Sequence, residues 1–345
     1  MKKFVTYSDL VGIIKNIIGY EIIFPTTSRH FKVLKTVEDL NLLNLNVIRP
    51  IEPIKQFFFP AKESLMYEKK DLKQIILGVK SCDIQAIEVL DKIFLSAPAD
   101  NLYQNYRNNT ILISCDCILP EETCFCSIVG GKPYVEQDDG VSDLNISFID
   151  ENNLILESFT DKGEEFLKHY FSDFDLPKNS DELKRNSNRT VSSKKVIEYN
   201  AEFIKEDKKG KYYKTVKYTY ELDEIWRKES DKCVQCGGCN FICPSCYCFL
   251  IREASISSEN QYRDKVWDVC HFTGYARVAG GANPRKYKYQ RFRNRYQCKF
   301  VYRYENFDFY ACTGCGRCIE VCPARIDIRK VVISLVLAKG EQVLV

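Results

Sequence analysis

Histidine and methionine are scarce in this 345-residue chain, at 3 and 2 residues, and tryptophan is as rare at 2. With no H-E-x-x-H run and no Ser/His/Asp arrangement, no hydrolytic or zinc-catalytic site is expected. Phosphate-binding glycine loops are missing too. Gly78-Val79-Lys80-Ser81 and Gly130-Gly131-Lys132 lack the spacing of G-x-G-x-x-G or G-x-x-x-x-G-K-[ST], so a bound nucleotide is expected on a partner instead. Long apolar runs are absent. Thr6, Ser8, Asp9, Lys15 and Asn16 interrupt the N-terminus, which argues against an export signal. Near the C-terminus, Val331 to Ala338 falls far short of the ~20 residues that a membrane helix needs. A formal charge of +3 points to no polyanion partner.

What the chain has is cysteine, 17 of them, within a composition of 45% hydrophobic and 13% aromatic residues that can build real cores. An odd number in a chain of this size does not suit a secreted disulfide framework. The thiols are expected to serve metal binding or redox chemistry in a reducing compartment, which makes the protein cytoplasmic.

At about 150 residues per domain the length allows two or three domains. Residues 1–160 alternate short apolar runs with helical patterns. Strands are expected at Glu21–Phe24, Gln56–Phe59, Gln74–Val79, Thr110–Ser114 and Asn153–Glu157. Ile84, Ile87, Leu90, Ile93 and Phe94 recur at helical spacing, giving a strand–helix–strand unit of a parallel sheet. A helix is expected at Asp161–Tyr170, while Pro177 to Lys195 is polar and reads as a linker or surface excursion. Residues 161–220 form a linker or helical region, and 221–345 a cysteine-rich domain with an insertion at 249–305. A last helix runs from Ile328 to Ala338. The fold expected is α+β and multidomain: an N-terminal α/β domain, then a ferredoxin-like domain with a long insertion between two cysteine runs.

Those runs are Cys233-Val-Gln-Cys236-Gly-Gly-Cys239-Asn-Phe-Ile-Cys243-Pro244 and Cys312-Thr-Gly-Cys315-Gly-Arg-Cys318-Ile-Glu-Val-Cys322-Pro323. Each fits C-x2-C-x2-C-x3-C-P, in which the fourth cysteine ligates the other cluster. Short spacers relaxed by Gly237, Gly238, Gly314 and Gly316 let three sulfurs converge on one cubane. One [4Fe–4S] cluster is therefore expected on Cys233, Cys236, Cys239 and Cys322, and a second on Cys312, Cys315, Cys318 and Cys243. A zinc site is the plainer alternative, but zinc uses two cysteine pairs rather than a trio with a fourth cysteine before proline.

Nine cysteines remain. Cys82 opens a helix, Cys115 and Cys117 lie at the end of a strand, and Cys124 and Cys126 follow in the next loop. Ligands bind at the carboxyl ends of strands in open α/β sheets. Cys82, Cys117, Cys124 and Cys126 are thus candidate ligands of a further cluster, with Cys115 as substitute; the bland reading is buried structural cysteine. Cys246, Cys248, Cys270 and Cys298 form a second such group, which either ligates another cluster or packs around the existing ones.

Between Val269 and Tyr304 stand Arg277, Arg285, Lys286, Lys288, Arg291, Arg293, Arg295, Lys299 and Arg303, with no acid, and Tyr287, Tyr289, Phe292, Tyr296, Phe300, Tyr302 and Tyr304 interleave with them. Such interleaving suits single-stranded nucleic acid, and it suits equally cations that offset anionic clusters. The second reading is favoured, and the alternation suggests a strand in places. His30, His169 and His271 read as surface or packing residues, although His271 beside Cys270 is placed to ligate or hydrogen-bond a cluster.

Several segments together resemble a known family: Gly78-Val-Lys-Ser-Cys82-Asp83, Cys124-Phe-Cys126, Cys243-Pro-Ser-Cys246-Tyr-Cys248, Trp267-Asp-Val-Cys270, Ala279-Gly280-Gly281, Cys298-Lys299-Phe300 and the second ferredoxin run. The likeness, over almost the whole chain, is to the iron–sulfur subunit of anaerobic sulfite reductases and the related β subunit of sulfhydrogenases. It implies an iron–sulfur electron-transfer subunit of a heteromeric enzyme, not catalytic alone. Electrons would come from a flavin- and NAD(P)H-binding subunit. They would pass to a siroheme protein, the first expectation, or to a nickel–iron hydrogenase. Readings of another class are a substrate-reducing cluster enzyme and an iron–sulfur protein that binds nucleic acid.

Overall fold

The computed structural model describes residues 1–66, 72–136, 140–203, 210–255 and 261–338, with backbone alone at 254, 255 and 261. The chain divides into two compact units. One holds residues 1–54, 69–122 and 131–198; the other holds 55–68, 123–130 and 199–345. Together they give the mixed α and β architecture expected from the sequence, an N-terminal sheet unit and a C-terminal cysteine-rich unit.

The first unit is a seven-stranded sheet. Its strands are β1 (Lys2–Thr6), β2 (Glu21–Pro25), β3 (Phe31–Val33), β5 (Gln74–Val79), β6 (Thr110–Cys115), β7 (Leu144–Phe148) and β8 (Asn153–Ser158), in the order β1-β8-β7-β6-β5-β2-β3. β2, β5, β6 and β7 run parallel, and the edges are antiparallel. β5 and β6 are buried along their whole length, as their unbroken apolar runs require of strands covered on both faces. Helices α1 (Tyr7–Ile14) and α4 (Asp161–Tyr170) bring Leu10, Ile14, Phe166 and Leu167 to one face. Ile76 and Leu112 alternate to the other and are fully buried. The expected crossover is present: α2 (Ser81–Phe94) buries Ile84, Ile87, Leu90 and Phe94, and α3 (Asn101–Asn108) follows it. Gly78 has φ 76° at a register shift between β5 and β6, where a Cβ would stand 2.7 Å from Pro25 Cγ.

Two expectations fail here. Pro177 to Lys195 is no linker, because α5 (Asn179–Tyr199) is a 21-residue helix. Its buried positions are Arg185, Ser192 and Val196, too polar to leave an apolar stripe. Arg185 pairs with Glu157 at 2.8 Å, and Arg189 with Asp116 at 2.7 Å. Gln56–Phe59 is no strand but the end of a 3-10 turn at Ile54–Phe57, followed by β4 (Lys62–Ser64).

β4 belongs to the second unit, where it pairs with β10 (Gln261–Trp267), itself paired with β9 (Phe249–Ser255). β9 and β10 open the insertion expected at 249–305, of which residues 256–260 lie outside the described residues. The rest of the unit is helical: α6 (Lys211–Tyr218), α7 (Asp223–Ser230), α8 (Gly238–Phe241), α9 (Lys288–Gln297), α10 (Arg303–Phe307), α11 (Arg317–Glu320) and α12 (Ile328–Ala338). The basic stretch read as partly strand-like is α9 with a π-helical turn at Cys298–Tyr302. Its aromatic residues Phe292, Tyr296 and Phe300 join Trp226 and Val332 in one apolar core. No described helix is long and apolar enough to cross a membrane.

Candidate metal centre

The two cysteine runs fold alike. The residue before the second cysteine and the residue after it have positive φ in both: Gln235 (58°) and Gly237 (76°), then Gly314 (64°) and Gly316 (78°). Left-handed residues in such a turn aim successive backbone N–H groups inward and make an anion-binding concavity. Gly237 and Gly316 then cap α8 and α11.

A hollow of about 490 Å³, counted with the space open to solvent, is lined by Cys233, Cys236, Cys239, Cys322, His271 and Arg295. Burial raises the Cys233 thiol, and the neighbouring Cys322 and Cys236 sulfurs push the same way. Burial also raises Cys239, which senses Cys233, Cys243 and Cys322. The second trio gathers around Cys243. Burial pushes Cys312 and Cys318 up to about 12, each also sensing Cys243. Cys322 thus shares a hollow with the trio of the first run, and Cys243 is felt by cysteines of both trios. Arg295 lies between the sets, buried, facing Cys239, Cys318 and Cys243.

The donor set fits an iron–sulfur group. His271 Nε2 and Arg295 Nε are buried without a hydrogen-bond partner, and both residues line the hollow. A guest rich in sulfide satisfies such groups. Among the described residues no three His, Cys, Asp or Glu side chains are close enough to hold a single ion. The thiols ring a space instead of closing on one metal. His271 is the one histidine of interest: Nδ1 is 3.6 Å from Cys233 Sγ, and burial with Arg295 and Arg291 depresses its pKa to about 3. His30 pairs with Glu52, and His169 lies edge-on to Tyr170.

The other cysteines lie in three places. Cys82 is the second residue of α2, and Cys117 follows β6, its carbonyl accepting from the Ser192 hydroxyl. Cys115 is packed in the core of the sheet unit. Cys124 and Cys126, both buried, belong to the second unit, where Phe125 N–H donates to Gly314 O at 2.8 Å. Cys246, Cys248, Cys270 and Cys298 come together. Asn240 Nδ2 lies 3.7 Å from Cys246 Sγ and 3.2 Å from Cys270 Sγ. Burial raises Cys298 to about 11, and Cys248 beside it adds to the shift.

Four of the nine basic residues, Arg291, Arg293, Arg295 and Lys299, are buried, so much of this charge faces inward. Sequence reasoning missed Lys55, Asn240 and Tyr275. No motif marks them, and Lys55 reaches the site from far back in the chain to donate to Cys246 O at 2.8 Å.

A family model described as a 4Fe-4S dicluster domain matches residues 232–326, which makes two [4Fe–4S] clusters the cofactors of this region. Sulfhydrogenase 2 subunit beta of Pyrococcus furiosus is 31% identical over 303 residues, covering 86% of both chains. The chain belongs to the family of the sulfhydrogenase β subunit.

Proposed function

We propose that the protein is the iron–sulfur electron-transfer subunit of a heteromeric anaerobic oxidoreductase of the sulfhydrogenase kind. What supports it is that Cys322 lines the same hollow as Cys233, Cys236 and Cys239, while Cys312 and Cys318 both feel Cys243. Cys233, Cys236, Cys239 and Cys322 would hold one cluster, and Cys312, Cys315, Cys318 and Cys243 the other. When bound, such clusters supply one-electron transfer. The chain's own residues do the rest. Left-handed turns aim N–H groups at the sulfurs, and Arg295 offsets charge between the two sets.

Cys82, Cys117, Cys124 and Cys126 stay in the proposal as candidate ligands of a further cluster. The partners proposed are a donor, which is a flavin- and NAD(P)H-binding subunit, and an acceptor, which is a nickel–iron hydrogenase, both in the cytoplasm. The sequence alone favoured a siroheme sulfite reductase as acceptor. The relative's name favours the hydrogenase. Anaerobic purification of the native complex tests this: nickel in a copurifying subunit is the expected result. Siroheme absorption would move the chain to the sulfite branch, and a colourless zinc protein would end the electron-transfer reading.

A further inference from the structure

Three lysines are buried almost completely in the second unit; Lys265 pairs with Glu63, which leaves Lys55 at 2% and Lys299 at 1% exposure. An ammonium group in such a place needs a counter-charge nearby. Among the described residues neither Lys55 nor Lys299 has a carboxylate partner. Lys55 Nζ donates to the carbonyls of Cys246 (2.8 Å) and Asn240 (3.3 Å) and lies 4.1 Å over the Trp267 ring. Lys299 Nζ donates to Ser245 Oγ at 2.7 Å. The groups around them that can carry the opposite sign are cysteine sulfurs: Cys246, Cys243 and Cys248 around Lys55, and Cys243, Cys246 and Cys298 around Lys299. Neutral thiols do not compensate two cations. Thiolates fixed on iron do.

Cys243 is already given to the second trio. The other sulfurs belong to the group that the chain assembles from three segments: Cys246 and Cys248 after the first run, Cys270 after β10, and Cys298 after α9. Donors surround them as they surround cluster thiolates. The Asn240 amide serves Cys246 and Cys270, and Tyr275 Oη stands 3.7 Å from Cys248 Sγ. Tyr275 also senses Cys270 and Cys298. Ordinary structural cysteines would sit among apolar side chains and need neither buried cations nor a shared amide.

We propose that Cys246, Cys248, Cys270 and Cys298 ligate a third [4Fe–4S] cluster, whose negative charge is offset by Lys55 and Lys299. This deepens the electron-transfer reading and rests on it. Cys246 and Cys243 stand three residues apart and shift each other's thiols, so the third site adjoins the Cys312 set, and the line of centres lengthens to three.

The test compares the full-length chain with a Cys248→Ser, Cys270→Ser variant, both purified under argon in the native complex. Neither residue belongs to a ferredoxin run. The expected result is a loss of four irons and four acid-labile sulfides per chain. Unchanged iron overturns the third site and leaves the two-cluster reading standing; a parent chain without iron sinks both. Tyr275→Phe guards against misfolding of the cysteine variant. In a redox titration followed by EPR it should lower the potential of one centre and leave the ferredoxin pair unmoved. No shift in any centre overturns the proposal.

Discussion

At the scale of single residues, chemistry is concentrated in side chains whose partners come from distant segments. Cys322 is the sharpest example, because the spacing rule assigns it to the other run's cluster. Cys322→Ser is expected to remove up to four irons per chain, from the Cys233 set, while iron on the Cys312 set stays. Iron analysis with EPR of the reduced protein checks this, and loss confined to the Cys312 set would refute the exchange. Gly316 is constrained differently. Its φ is 78°, and a Cβ there would stand 2.4 Å from Thr123 O. Gly316→Ala should therefore cost at least the roughly 1–2 kcal/mol of a left-handed L-residue, with a further clash against backbone. It should appear as poor iron retention and a lowered urea midpoint. The dicluster region could be picked out in the sequence because the spacing of its two cysteine runs is local. Lys55, Asn240 and Tyr275 could not, since their roles arise only when separate segments meet.

At the scale of elements, strands with continuous apolar runs were read from the sequence almost to the residue: β5 and β8 begin where expected, and α4 and α12 match in full. Elements held by polar contacts escaped. α5 carries its buried face on Arg185, Ser192 and Val196 and is anchored by ion pairs, so no hydrophobic period announces it. The same mechanism hid α9, in which Arg291, Arg293 and Arg295 take buried positions that pattern reasoning reserves for apolar residues. Arg189 binds Asp116 through Nε at 2.7 Å and Nη2 at 3.1 Å in a mostly buried pair. Arg189→Met leaves that carboxylate uncompensated and should destabilise the sheet unit by about 3 kcal/mol. Urea unfolding of the variant measures it, and a change below about 0.5 kcal/mol, the ordinary range of a surface substitution, would show that α5 is held by something else.

At the scale of the whole molecule, the cysteine-rich unit is not one stretch of chain. It recruits residues 55–68 and 123–130 from the N-terminal half. Compositional change at Glu221 suggested a boundary there because cysteine density rises, but density says nothing about which earlier segments complete the fold. A fragment of residues 221–345 lacks β4, Lys55 and the segment packed on Gly314. It should retain less iron than the full chain and expose its apolar core to dye binding. A fragment as iron-rich and compact as the parent would refute the dependence.

The pairing of β4 with β10 also governs how the protein must be made. Lys62 waits for Val266, roughly 200 residues downstream. At about 5–20 residues per second that is ~10–40 s on the ribosome with an unpaired strand edge showing. The nascent chain must be shielded through that interval, so its yield in a foreign host should depend on chaperone supply and on slow synthesis at low temperature.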